Sequence, residues 1–180
     1  DGAQREIQAD AIVIATGSSW PNLPQFPIDG QQLLTSQQLL DLDRIPASLL
    51  IVGAGVEGCE FAALYSGLGT TVTMVELMAR VLPLEDEEVS STMERELKKR
   101  GVTVMTGTTV ERLERSPATI TAHLKDGTQV ATEKLLVSVG RGMNSRGIGL
   151  EQVGVQTGRR GEILVNERME TTVPGIYAIG

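Results

Sequence analysis

Ser48-Leu49-Leu50-Ile51-Val52-Gly53-Ala54-Gly55-Val56-Glu57-Gly58-Cys59-Glu60 is the stretch that decides the fold. Its first five residues form a short apolar run of the kind found in a strand buried on both faces. Residues 56–68 read as a helix ended by Gly69, with Phe61, Leu64, Tyr65 and Leu68 at helical spacing and expected to face a sheet. Between strand and helix stand three glycines in the pattern G-x-G-x-x-G, each with a mechanical task. Gly53 turns the chain out of the strand, Gly55 leaves its backbone open to close approach, and Gly58 lets the helix lie against the sheet. A helix N-terminus presents unpaired N–H groups and a partial positive charge, so the loop suits a diphosphate. Thr71–Val75, rich in β-branched residues, completes a βαβ unit of roughly 30 residues.

Glu76 closes that second strand, about 20 residues beyond the glycines, where this arrangement reaches an adenosine ribose. A carboxylate there accepts hydrogen bonds from ribose hydroxyls and repels a 2′-phosphate, so the sequence favours NAD(H) over NADP(H). Glu60 lies in the first helical turn. It reads either as an acid matched to the helix dipole or as a carboxylate near the nicotinamide end of the cofactor, and spacing does not separate the two.

Downstream, Glu85, Asp86, Glu87 and Glu88 open a second helix, and Lys98, Lys99 and Arg100 close it before Gly101. Acids at the amino end and bases at the carboxyl end match the dipole. Val89, Met93 and Leu97 are expected to form its buried stripe. Residues 102–105 read as a further parallel strand. Short strands then follow over 108–113, 119–124 and 129–136, with Asp126-Gly127 as a hairpin signal. The run 134–139 ends at Gly140. Upstream, residues 11–15 read as a buried strand, and Pro21, Pro24 and Pro27 mark an extended, linker-like segment. The predicted class is α/β: a Rossmann-like three-layer domain with a parallel sheet and an antiparallel β-meander.

Composition narrows the function. Apolar residues make up 41% of the 180 and charged residues 22%, with a net charge of −7. With no basic stripe and few aromatics, nucleic-acid binding is not indicated. No run approaches the length of a membrane span, so the expectation is a soluble, cytoplasmic protein without a membrane partner. The single cysteine, Cys59, has no partner for a disulfide and sits beside a packing glycine, so it reads as a buried small residue. His123, the only histidine, lies mid-strand and reads as structural. No metal-ligand set and no catalytic constellation is apparent. The sequence begins without Met and stops directly after a strand-like run, and it reads as a segment of a longer protein.

Several segments together resemble the pyridine nucleotide-disulfide oxidoreductases (class I). Ala15-Thr16-Gly17-Ser18 with the prolines is similar to that family's crossing from its flavin domain to its nucleotide domain. Gly53 to Glu60 resembles its NAD fingerprint. Arg80-Val81-Leu82-Pro83 followed by acids is similar to its approach to the second helix. Val139-Gly140-Arg141 with Asn144 and Leu150 resembles the segment under the nicotinamide, and residues 172–180 its return to the flavin domain. The wording of residues 135–150 is most similar to the dihydrolipoyl dehydrogenase branch.

The resemblance implies that residues 1–45 trail from an FAD domain, 46–165 bind NAD, and 166–180 begin the return. It implies that Glu76 holds the adenosine ribose and that Gly53, Ala54, Gly55, Val56, Glu57, Gly58 and Glu60 line the pyrophosphate and nicotinamide ribose. Val110 and Gly140 then touch the adenine and nicotinamide ends, and Thr16, Gly17 and Ser18 lie against FAD. It further implies a homodimeric whole protein carrying FAD, a 2-oxoacid dehydrogenase complex as partner, and an inactive isolated segment. Related branches (mercuric reductase, NADH oxidase, soluble transhydrogenase) and a stand-alone NAD(H)-sensing module remain open alternatives. Glu57 departs from the family pattern, which carries an apolar residue such as Ile there. A second acid near a pyrophosphate is unfavourable unless it points elsewhere.

Overall fold

The computed structural model describes residues 5–180. In chain order the elements are β1 (Ile12–Ile14), β2 (Ser18–Ser19), β3 (Leu33–Leu34), α1 (Ser36–Leu40), β4 (Ser48–Val52), α2 (Val56–Gly67) and β5 (Thr71–Glu76). Then come α3 (Glu87–Lys99), β6 (Thr103–Thr106), β7 (Val110–Arg115), β8 (Ile120–Leu124), β9 (Gln129–Thr132), β10 (Lys134–Val137), β11 (Gly142–Met143) and β12 (Ile176–Ala178). They fall into two compact units, residues 22–140 and residues 5–21 with 141–180.

The larger unit is built on a parallel sheet of order β3-β10-β4-β5-β6. Along β4 the side chains alternate between two cores. Leu49 and Ile51 join the core with Phe61 and Tyr65 of α2 and Leu97 of α3. Leu50 and Val52 join the core with Val110, Ile120, Ala122 and Leu124 of the antiparallel β7-β8-β9 meander. Both faces of the strand are therefore covered, which is why it reads as a continuous apolar run. Helices, parallel sheet and meander make the three expected layers.

Several details differ from the sequence expectation. Leu64 and Leu68 are 45% and 48% exposed, because the buried face of α2 runs through Gly58, Ala62 and Tyr65. The Tyr65 hydroxyl fixes that face by donating to the Leu39 carbonyl at 2.7 Å. On α3, Val89 is exposed and Ser90 takes its place in the buried stripe. Its hydroxyl donates to the Val81 carbonyl at 2.6 Å, so burying it leaves no orphan. Residues 129–136 are not one strand. The chain breaks at Glu133, whose carboxylate accepts the Ala47 N–H and pairs with Arg44, and β9 and β10 enter different sheets. The proline-rich segment also leads into β3 and α1, elements that the sequence reading lacks.

In the smaller unit β1 pairs with β12 in parallel, and β2 with β11 antiparallel. Among the described residues no helix is long and apolar enough to cross a membrane.

Candidate functional site

The glycine loop follows β4 directly. Gly53 has a φ of 106°, and its N–H donates to the Val75 carbonyl at 2.8 Å, tying the turn to β5. A side chain at Gly53 would lie 2.1 Å from the Ser138 carbonyl oxygen, and one at Gly58 would lie 2.1 Å from that of Gly53. Around a side chain at Gly55, by contrast, there is nothing within 4 Å. Two glycines are thus required by the protein's own backbone, while the third borders open space.

Gly55 caps α2 without any side-chain hydrogen bond. The first backbone bond of the helix runs from the Cys59 N–H to the Gly55 carbonyl at 3.0 Å. Helix geometry leaves the N–H groups of Val56, Glu57 and Gly58 for an external acceptor.

Beside the loop lies a cleft of about 510 Å³. Its walls are Gly53 and Gly55, residues 76–78 at the end of β5, Thr108 and Thr109, residues 138–140 after β10, and Leu23, Gln25 and Phe26. Glu76 is 8% exposed. One carboxylate oxygen accepts the Ala54 N–H at 2.7 Å and the other the Met78 N–H at 2.8 Å. A carboxylate has about four acceptor positions, so each oxygen keeps capacity for a ribose hydroxyl. The open space at Gly55, the unused helical donors and an acidic acceptor along one cleft fit a dinucleotide.

Gly140 lines the cleft and Glu60 is exposed on the first turns of α2. Val56 is 57% exposed. Glu57 accepts a hydrogen bond from the Ser138 hydroxyl at 2.8 Å. Val110 is buried in the meander core, and the cleft wall there is formed by Thr108 and Thr109 instead. Cys59 is buried, and its thiol is pushed up to about 11 by burial first and by the Glu76 carboxylate second.

Thr16, Gly17 and Ser18 belong to the smaller unit and line a cavity there of about 370 Å³, with Arg141, Met143 and Asn144. Arg141 donates to the Ser18 hydroxyl and carbonyl oxygens, both at 2.6 Å, and its guanidinium lies 4.2 Å over the Trp20 ring. His123 contacts Arg112 and Glu114 on the meander surface. Among the described residues no three His, Cys, Asp or Glu side chains gather as a metal site.

Sequence reasoning missed Phe26, Leu77, Met78, Thr108 and Ser138 as cleft residues. No local motif marks the first four. Ser138 had one signal, its place two residues before Gly140.

A parallel sheet between helices and a meander, with a glycine loop facing an acid at the next strand end, defines a nucleotide-binding α/β domain. The model of the pyridine nucleotide-disulphide oxidoreductase family matches residues 1–180, and the chain belongs to that family. Its members use FAD and NAD(P). An NAD(P)H dehydrogenase (quinone) of Mycobacterium tuberculosis is 38% identical over 180 residues, covering 100% of this chain and 36% of that protein. A dihydrolipoyl dehydrogenase of Bacillus subtilis is 41% identical over 176 residues, covering 96% of this chain and 38% of that protein. The crystal structure of LpdA from Mycobacterium tuberculosis superposes with a TM-score of 0.88 at 37% identity, over 99% of this chain and 39% of the other. The chain therefore spans well under half the length of these relatives.

Proposed function

We propose that this chain is the NAD(H)-binding portion of an FAD-dependent disulfide oxidoreductase of the dihydrolipoyl dehydrogenase type. The observation that carries the reading is the open helix N-terminus at Gly55 facing the Glu76 carboxylate along one cleft. In this reading the N–H groups of residues 56–58 hold the diphosphate and Glu76 takes the adenosine ribose hydroxyls. Glu60 and Gly140 stand at the nicotinamide end, and Thr108 and Thr109, which form the wall in place of the buried Val110, at the adenine end. Thr16, Gly17 and Ser18 lie against FAD. In this reading the larger unit, residues 22–140, is the nucleotide-binding part, and residues 5–21 with 141–180 belong to the flavin-binding part.

When bound, the cofactors supply the redox chemistry, with electrons passing from dihydrolipoamide through a cysteine pair outside this chain and FAD to NAD⁺. The chain's own residues orient the nicotinamide and exclude the 2′-phosphate. The whole protein is then a cytoplasmic homodimer contributing to redox homeostasis, serving a 2-oxoacid dehydrogenase complex. The dihydrolipoyl dehydrogenase relatives, at about 40% identity, support this choice of substrate. A quinone as electron acceptor is the second reading, favoured by the 38% identical Mycobacterium tuberculosis relative.

Assays of the flavoprotein containing this chain separate the two. Dihydrolipoamide-dependent reduction of NAD⁺ supports the first reading, and NADH–quinone turnover without it supports the second. The 180-residue chain alone is expected to show neither.

A further inference from the structure

Glu57 lies in the first turn of α2, yet its carboxylate does not cap the helix. It is held sideways by the Ser138 hydroxyl, which donates to Oε2 at 2.8 Å. Ser138 is 6% exposed, and its backbone packs so tightly on the loop that Gly53 has no room for a side chain. Ser138, Val139 and Gly140 together form one wall of the cleft. The negative charge of Glu57 is therefore fixed beside that wall and does not swing free in solvent. Glu60 adds a second carboxylate three residues on. Among the described residues neither enters an ion pair.

We infer that Glu57, held by Ser138, makes the site distinguish the redox forms of its cofactor, favouring NAD⁺ over NADH. The inference rests on the proposed placement of a dinucleotide along this loop. The diphosphate carries the same charge in both forms, so its repulsion by Glu57 cancels in the ratio of their affinities. The nicotinamide ring is cationic only when oxidised, so its attraction to Glu57 does not cancel. A unit charge within about 10 Å, acting through an effective dielectric of about 40, changes that ratio roughly three- to tenfold.

The test is calorimetric titration of the chain with NAD⁺ and with NADH, for the unmodified protein and for Glu57→Gln. Gln keeps the size of the side chain and an acceptor for Ser138 but removes the charge. The expected result is that both forms bind more tightly, while the preference for NAD⁺ shrinks roughly three- to tenfold. An unchanged ratio, with both forms binding, overturns the inference and leaves the dinucleotide site standing. If the unmodified chain binds neither form, the dinucleotide reading fails and this inference with it. Ser138→Ala, which frees the carboxylate, is expected to shrink the preference as well. An unchanged ratio in that variant overturns the role given to Ser138.

Discussion

The carboxylate of Glu76 accepts the backbone N–H of Ala54 at 2.7 Å, joining the end of β5 to the middle of the glycine loop 22 residues earlier in the chain. The acid read from the sequence as a ribose acceptor is thus also a brace for the glycine loop. Removing it leaves two backbone donors, those of Ala54 and Met78, without this acceptor.

Glu76→Ala is therefore expected to act twice. It should lower unfolding stability by ~1–3 kcal/mol through the orphaned N–H groups, and weaken NADH binding by a similar amount. Urea denaturation and calorimetry read the two effects separately. Weakened binding with unchanged stability contradicts the bracing role.

The three glycines should separate into two kinds. Gly53→Ala and Gly58→Ala each place a methyl carbon 2.1 Å from a backbone oxygen, and each is expected to cost ~2 kcal/mol or more of stability. Gly55→Ala meets nothing within 4 Å and needs no unusual backbone angle, since φ there is −72°. Its stability should stay within about 0.5 kcal/mol of the unmodified chain. NADH affinity should nevertheless fall about tenfold, because the methyl group occupies the approach to the loop. A Gly55 variant that binds normally argues against a diphosphate there.

Cys59 should be silent in the folded chain. Its thiol lies in the core with its hydrogen directed at the Ala54 carbonyl, and its pKa is pushed from 9.0 up to about 11 by burial and then by Glu76. Ellman's reagent at pH 8 should react only after unfolding. The fold favours the protonated thiol, so stability is unaffected well below pH 9. It declines as pH rises from about 9 toward about 11, because the unfolded chain ionises first. Burial raises the Tyr65 phenol as well, which adds to the same alkaline trend. Cys59→Ala should flatten part of that decline, as read by thermal melting at several pH values.

Much of this architecture is legible because single segments state it. Residues 48–52 and 71–76 declare buried parallel strands by their apolar and β-branched runs. The charged ends of α3 declare its limits through the helix dipole. β3 and α1 are not legible in the same way. A two-residue strand has no period, and the five-residue helix is held by a capping box between Thr35 and Gln38 after a proline-rich approach. The break at Glu133 depends on Arg44 and Ala47, both far back in the chain.

The site divides along the same line. Gly53, Gly55, Glu76 and Gly140 are readable because their chemistry demands a fixed spacing or backbone freedom. Phe26, Met78 and Thr108 reach the cleft from separate segments that only the folded sheet brings together. The Glu57–Ser138 hydrogen bond spans 81 residues and has no counterpart in local pattern.

Paired calorimetric titration of the chain with NADH and NADPH tests the role proposed for Glu76. If Glu76 accepts from a free 2′-hydroxyl and repels a phosphate in its place, NADH is expected to bind at least about tenfold more tightly. Equal or tighter binding of NADPH, or no binding of either, contradicts that role.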